Sequence, residues 1–200
     1  MHWIDPLHLP ETKGRVSSFL FNTHGDCDGF MLKGSLQVHV PPHLSKAILK
    51  NIGIGDTVNV RGIRPRGAEV VGAVSVTTAA GKTIEDHGPE AGPGAGKKAK
   101  KDDKDIEGKQ AKTAEKQPKP PKQVEIHGTV ARTIHGPRGE VSGALLESGE
   151  IVRLDHQGNE ELLDYFQPGA RIAVWGNRIL VRKQVVIDLA EIDWDDEEVS

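Results

Sequence analysis

Apolar positions in this chain fall into short runs, most of them alternating with polar residues and closed by glycine, proline, Asn or Asp. Runs of that length and period predict β-strands rather than helices. Arg15–Asn22, with Val16, Phe19, Leu20 and Phe21, predicts a first strand, followed by turn chemistry at His24–Gly29. Phe30–Lys33 and Leu36–Val40 predict a hairpin around Gly34-Ser35, in which Val38 and Val40 face inward and Gln37 and His39 outward. Pro41-Pro42 closes that strand. His43–Asn51 changes to helical spacing through Leu44, Ala47, Ile48 and Leu49, and Gly53 and Gly55 stop it. Thr57–Arg61 and Val70–Val76 predict two further strands about a turn at Arg64–Gly67.

The pattern then returns at a constant offset of 114 residues. Gly14, Gly25, Gly29, Gly55 and Gly62 recur as Gly128, Gly139, Gly143, Gly169 and Gly176. The apolar positions Val16, Leu32, Val38, Val58 and Val60 recur as Val130, Leu146, Val152, Ile172 and Val174. Glycines mark backbone turns and apolar residues mark core faces, so one small fold is expected in two copies. In the second copy Asn159 is placed to cap a helix whose buried side carries Leu162, Leu163 and Phe166.

Three strands, a helix and two strands is the order of a five-stranded Greek-key barrel, and here the chain resembles the OB-fold superfamily in both repeats. Val38-His-Val-Pro-Pro-His-Leu44 also loosely resembles uncharacterised bacterial OB-fold proteins of the nucleic-acid-binding type. The expected architecture is all-β: two OB-like barrels, each with a short helix between strands 3 and 4, joined by a disordered linker. The expected boundaries are an N-terminal arm at 1–13, barrel 1 at 14–84, the linker at 85–122, barrel 2 at 123–192 and an acidic tail at 193–200.

Charge divides along those boundaries. Residues 1–84 carry nine Lys/Arg against six Asp/Glu, residues 85–122 ten against eight, and residues 123–200 seven against fifteen. The first half suits a polyanionic partner and the second would repel one. The linker combines Gly88–Gly96, a lysine run from Lys97 and prolines at 118, 120 and 121, with almost nothing apolar to bury. No apolar run is long enough to span a membrane, and the N-terminus lacks the pattern of a signal peptide. A single cysteine, Cys27, excludes an intrachain disulfide, and these points together lead to an expected cytoplasmic location.

OB-folds usually bind through strands 2 and 3 and the loops joining strands 1–2 and 4–5. The resemblance places Asn22, Thr23, His24, Lys33, Gln37, His39, Arg61, Arg64 and Arg66 on that surface in repeat 1, with Phe21 and Phe30 as nearby aromatics. Arg61, Arg64 and Arg66 are the strongest signal, because three guanidinium groups near one loop can hold phosphate oxygens. Repeat 2 offers His135, Arg138, Arg153, Trp175 and Arg178. Trp175 has two readings, a stacking platform or packing against the other barrel.

Other chemistry fits the sequence less well. His24, Asp26, Cys27 and Asp28 crowd one turn, but their repeat counterparts Arg138, Glu140, Val141 and Ser142 are not a ligand set, so no metal or cofactor is expected. Asp26–Gly29 lacks the closing Glu of a calcium loop, and Gly92–Lys97 lacks the first Gly and the Ser/Thr of a phosphate-binding loop. No nucleophile–base arrangement points to an enzyme. Two main functions remain open, nucleic-acid binding through barrel 1 and the basic linker or a protein–protein adaptor using barrel 2 and the acidic tail, with small-ligand or metal binding near His24 and His39 a third behind them. A polar basic face on strands 2 and 3 favours the first; a seal between the barrels favours the second.

Overall fold

The computed structural model describes residues 6–87, 122–154 and 160–195. Barrel 1 comprises β1 (Glu11–Phe21), β2 (Cys27–Leu32), β3 (Gln37–His39), helix α1 (Ser45–Asn51), β4 (Thr57–Ile63), β5 (Val70–Thr78) and β6 (Thr83–Glu85). Barrel 2 comprises β7 (Lys122–His135), β8 (Val141–Leu146), β9 (Ile151–Arg153), β10 (Arg171–Val181) and β11 (Gln184–Trp194). In barrel 1 the order β3-β2-β1-β4-β5 is closed by a parallel β3–β5 pairing, and in barrel 2 a parallel β9–β11 pairing closes β7–β11 in the same way. This is the OB-fold topology, twice.

The repeat holds at the level of backbone register. Val16 pairs with Leu32 and Val130 with Leu146, 114 residues on in both strands. The repeated glycines have physical reasons. A Cβ on Gly29 would stand 2.5 Å from the Val38 carbonyl oxygen, and one on Gly143 would stand 2.0 Å from that of Val152. A larger residue in either hairpin forces the crossing strands to shift apart. Gly55 and Gly169 sit at φ of 95° and 89°, where a side chain is strained.

Several elements differ from expectation. β1 starts at Glu11, because Glu11, Thr12 and Lys13 pair with Arg61, Val60 and Asn59 of β4. β10 runs unbroken through Trp175 to Val181, bending at an irregularity between Trp175 and Gly176 where two separate strands were expected. Barrel 1 makes the same bend between Arg61 and Gly62. The helix of barrel 1 begins as a 3₁₀ turn at Pro42–Leu44 before α1, since proline is tolerated only in a first turn. Barrel 2 has two 3₁₀ turns there, Glu160–Leu162 and Asp164–Phe166, which still bury Phe166 completely. The expected cap Asn159 lies outside the described residues, as do most of the linker and residues 196–200. Among the described residues, no helix is long and apolar enough to cross a membrane.

Candidate nucleic-acid interface

Both barrels belong to one compact unit, and the contact between them decides which surfaces remain available. Every residue of β2 except Asp28 is buried, and Gln37 and Val38 of β3 are 3% and 0% exposed. A strand that closes a small barrel should bury only one face. Here barrel 2 covers the other. Ile134, Ile151 and Val186 share an apolar cluster with Phe21, Phe30 and Met31.

Polar groups fix the register of that contact. The Gln37 carboxamide donates from Nε2 to the His135 carbonyl at 2.7 Å and accepts from the His135 N–H at 2.8 Å, so the side chain pairs with β7 as a strand would. Arg153 reaches across at 2.6 Å to Asp28 and donates from Nε to the Phe21 carbonyl at 2.9 Å. Burial pushes the Asp28 carboxyl up and the Arg153 guanidinium down from their ordinary values, and the contact between them opposes both. His39 lies near the same charge; burial first, then the Arg153 charge, lowers its pKa to about 4. Cys27 is also buried here, and loss of solvent raises its thiol to about 12, which leaves it inert.

The loops interleave at the two ends of this seam. A Cβ on Gly139 would lie 3.2 Å from Pro65 and 3.3 Å from Ala68, so the β7–β8 loop meets the β4–β5 loop. At the other end a Cβ on Gly25 would lie 3.7 Å from Val181, so the β1–β2 loop meets the β10–β11 turn. Gly25 and Gly139 are repeat counterparts, and the contact is close to two-fold symmetric.

The expected site residues therefore separate into groups. Phe21 and Phe30 are 3% and 0% exposed and have no face to offer a base. Arg153 is 6% exposed and held by Asp28, and His39 is largely covered, so both belong to the seam rather than to an open surface. Arg61 donates to the carbonyls of Leu7 and Leu9 and pairs with Glu11 at 2.6 Å, which fastens the N-terminal arm. Arg64, Arg66 and Arg138 are exposed on the loops that meet at Gly139, with Glu69 3.6 Å from Arg64. Lys33 is exposed on the β2–β3 turn and lines a groove of about 410 Å³ with Arg132. A second groove of about 430 Å³, with Arg132, Ser35, Ala68 and Gly139 in its walls, continues from it to the arginine-bearing loops. Trp175 is half-buried in a shallow hollow beside Glu125 and Glu191, and Arg178 sits on β10 opposite Lys122 and Ile187.

Sequence reasoning did not single out Arg132, Arg182 or Lys183. Arg132 is exposed on β7 at an irregularity between Val130 and Arg132, which simple alternation does not reveal. Arg182 and Lys183 form the β10–β11 turn, where a separate strand 5 was expected to begin nearby.

No family model matches the sequence, and no curated protein matches it. Among solved structures, the chain is similar to the wild-type single-stranded DNA binding protein from Thermus aquaticus, with 12% identity, TM-score 0.28, and 95% of this chain and 93% of that one covered. A deletion variant of the same protein gives 12% identity, TM-score 0.27 and 95% of both chains covered. The OB assignment rests on strand order and barrel closure. By those the chain is a tandem OB-fold protein.

Proposed function

We propose that this is a non-enzymatic module that binds nucleic acid through its phosphates. The observation that supports it is five exposed cations on neighbouring segments beside the seam: Lys33 and Arg132 line one groove, and Arg64, Arg66 and Arg138 stand on the two loops that meet at Gly139. Glu69 and Glu140 are the carboxylates on the adjoining loops, so positive charge prevails. The lysine run of the linker adds cations in the same chain. Among the described residues, no Phe, Tyr or Trp lines the two grooves, and His135 is the one ring in their walls. Binding there rests on phosphate contact, with no Phe, Tyr or Trp platform for stacking bases, which gives little preference between single strands and duplexes and a steep dependence on salt.

The test is a titration of labelled single-stranded and duplex DNA of equal length over a salt series. Arg64→Ala/Arg66→Ala/Arg138→Ala should weaken both about tenfold or more at low salt, and should flatten the duplex log–log salt slope by about 2–3, at roughly 0.9 per lost phosphate contact. The melting temperature should not move, because all three side chains are exposed. Absence of binding at low salt, or a variant that binds like the parent, refutes the proposal.

One observation favours a second reading, a protein–protein adaptor: the strand 2–3 faces through which OB-folds usually bind are occupied by each other. An adaptor would show no nucleic-acid affinity under the same conditions.

A further inference from the structure

The β10–β11 turn carries a local conflict. Val181 pairs with Gln184, so Arg182 and Lys183 alone make the connection, at φ of 48° and 73°. Two consecutive left-handed residues define the type I′ hairpin turn, which Asn-Gly satisfies with least strain. The corresponding loop in barrel 1 is longer, so the fold does not require Arg-Lys at this place. Strain retained at an exposed cationic tip points to use of the charges.

Both side chains line an open cleft of about 750 Å³ between the barrels. Phe19, Leu49, Ile52 and Val185 contribute its apolar lining, and Ile54 at its edge is 68% exposed. Among the described residues Glu150 is the one carboxylate in the lining, and Ser148 donates a hydrogen bond to it. An apolar lining with a cationic rim is complementary to an extended acidic segment that carries an aliphatic side chain. The chain contains such a segment in Asp196-Glu-Glu-Val199. It follows Asp195, which is held by His127 at 3.1 Å and Arg171 at 3.2 Å. Trp194 pairs with Ile172, at the opposite end of the hairpin from Arg182 and Lys183. Ten residues of strand separate the two ends, about 33 Å. Residues 196–200 span at most about 18 Å and do not bridge that distance within one molecule.

We propose that the cleft under the Arg182-Lys183 turn receives residues 196–199 of a second copy of this chain. The acids meet Arg182 and Lys183, and Val199 enters the apolar lining. The contact is head-to-tail and does not close on itself, so association grows with concentration and weakens with salt.

The experiment is sedimentation velocity on the full chain over a concentration series at low and high salt, beside the variant Arg182→Asn/Lys183→Gly. The parent should increase in mean mass with concentration at low salt and revert at high salt. The variant should stay monomeric while melting at the same or a higher temperature, because Asn-Gly suits the turn better; loss of association then does not come from loss of fold. A labelled peptide of residues 195–200 should bind the parent and bind the variant at least tenfold more weakly, and Val199→Ala in the peptide should weaken it again. A parent that stays monomeric and ignores the peptide overturns the proposal. So does a variant that associates normally, or one whose only loss is affinity for labelled DNA, which would make the cleft a nucleic-acid site.

Discussion

Asp28 and Arg153 show how one pair of side chains can decide the relation between two barrels. Their side chains are 12% and 7% exposed, and the pair spans the seam at 2.6 Å. Removing one partner strands the other charge away from water, whereas removing both with apolar replacement is often neutral. Asp28→Ala should therefore destabilise the protein by about 3–5 kcal/mol, and Asp28→Ala/Arg153→Met should recover most of that loss. Denaturant unfolding of the two variants checks both values. If the double variant is no better than the single, the pair matters through the Arg153 bond to the Phe21 carbonyl instead.

His39, beside this pair, makes the seam sensitive to acid. Its folded pKa of about 4 lies below the ordinary histidine value. The unfolded chain therefore binds a proton that the folded chain refuses between about pH 6.5 and pH 4. The stability that His39 contributes is complete above pH 6.5 and declines as pH falls through that window, by at most about 1.4 kcal/mol per unit. Asp28 works in the opposite sense, since its raised carboxyl takes up a proton before the unfolded one does. Unfolding measured at pH 7, 6 and 5 should show the decline in the parent and a flatter profile in His39→Gln.

At the scale of elements, the repeat was legible because its punctuation is steric. A glycine that lies against a neighbouring carbonyl is costly to replace, so Gly29 and Gly143 mark the same hairpin crossing in both barrels. The cost of an added methyl group there is an overpacking cost of about 1–3 kcal/mol. Gly143→Ala should stand at the upper end, because its Cβ would approach Val152 O more closely and its φ of 149° already disfavours a side chain. Gly29→Ala should cost less, and denaturation midpoints rank the two. What alternation alone could not show was the irregular strand. β10 changes register beside Gly176, and a periodic reading broke it into two pieces. The helix of barrel 2 was over-read for a related reason: Leu162, Leu163 and Phe166 fit a helical face, but two 3₁₀ turns bury Phe166 equally well.

At the scale of the whole molecule, the sequence showed two barrels but not the face that joins them. Gln37 and His39 alternate as outward positions on β3, and that much is correct of the strand taken alone. Outward from barrel 1 means into barrel 2, and nothing in the spacing of a strand records what lies beyond its own sheet. For the same reason Phe21, Phe30 and Arg153 read as ligand contacts when taken one barrel at a time. The shared cluster has an energetic consequence. Each barrel is near the size at which an unaided core becomes marginal, and Ile134, Ile151 and Val186 of one complete the core of the other. Unfolding should then be a single transition by calorimetry, with no separate melting of the halves. Residues 1–87 and 122–200, produced as separate chains, should each be poorly structured alone. Mixed in equal amounts they should recover strand content and elute together, since the seam does not depend on a peptide connection. Two independent, folded halves that do not associate would show that the Gln37–His135 and Asp28–Arg153 contacts follow from tethering rather than hold the barrels together.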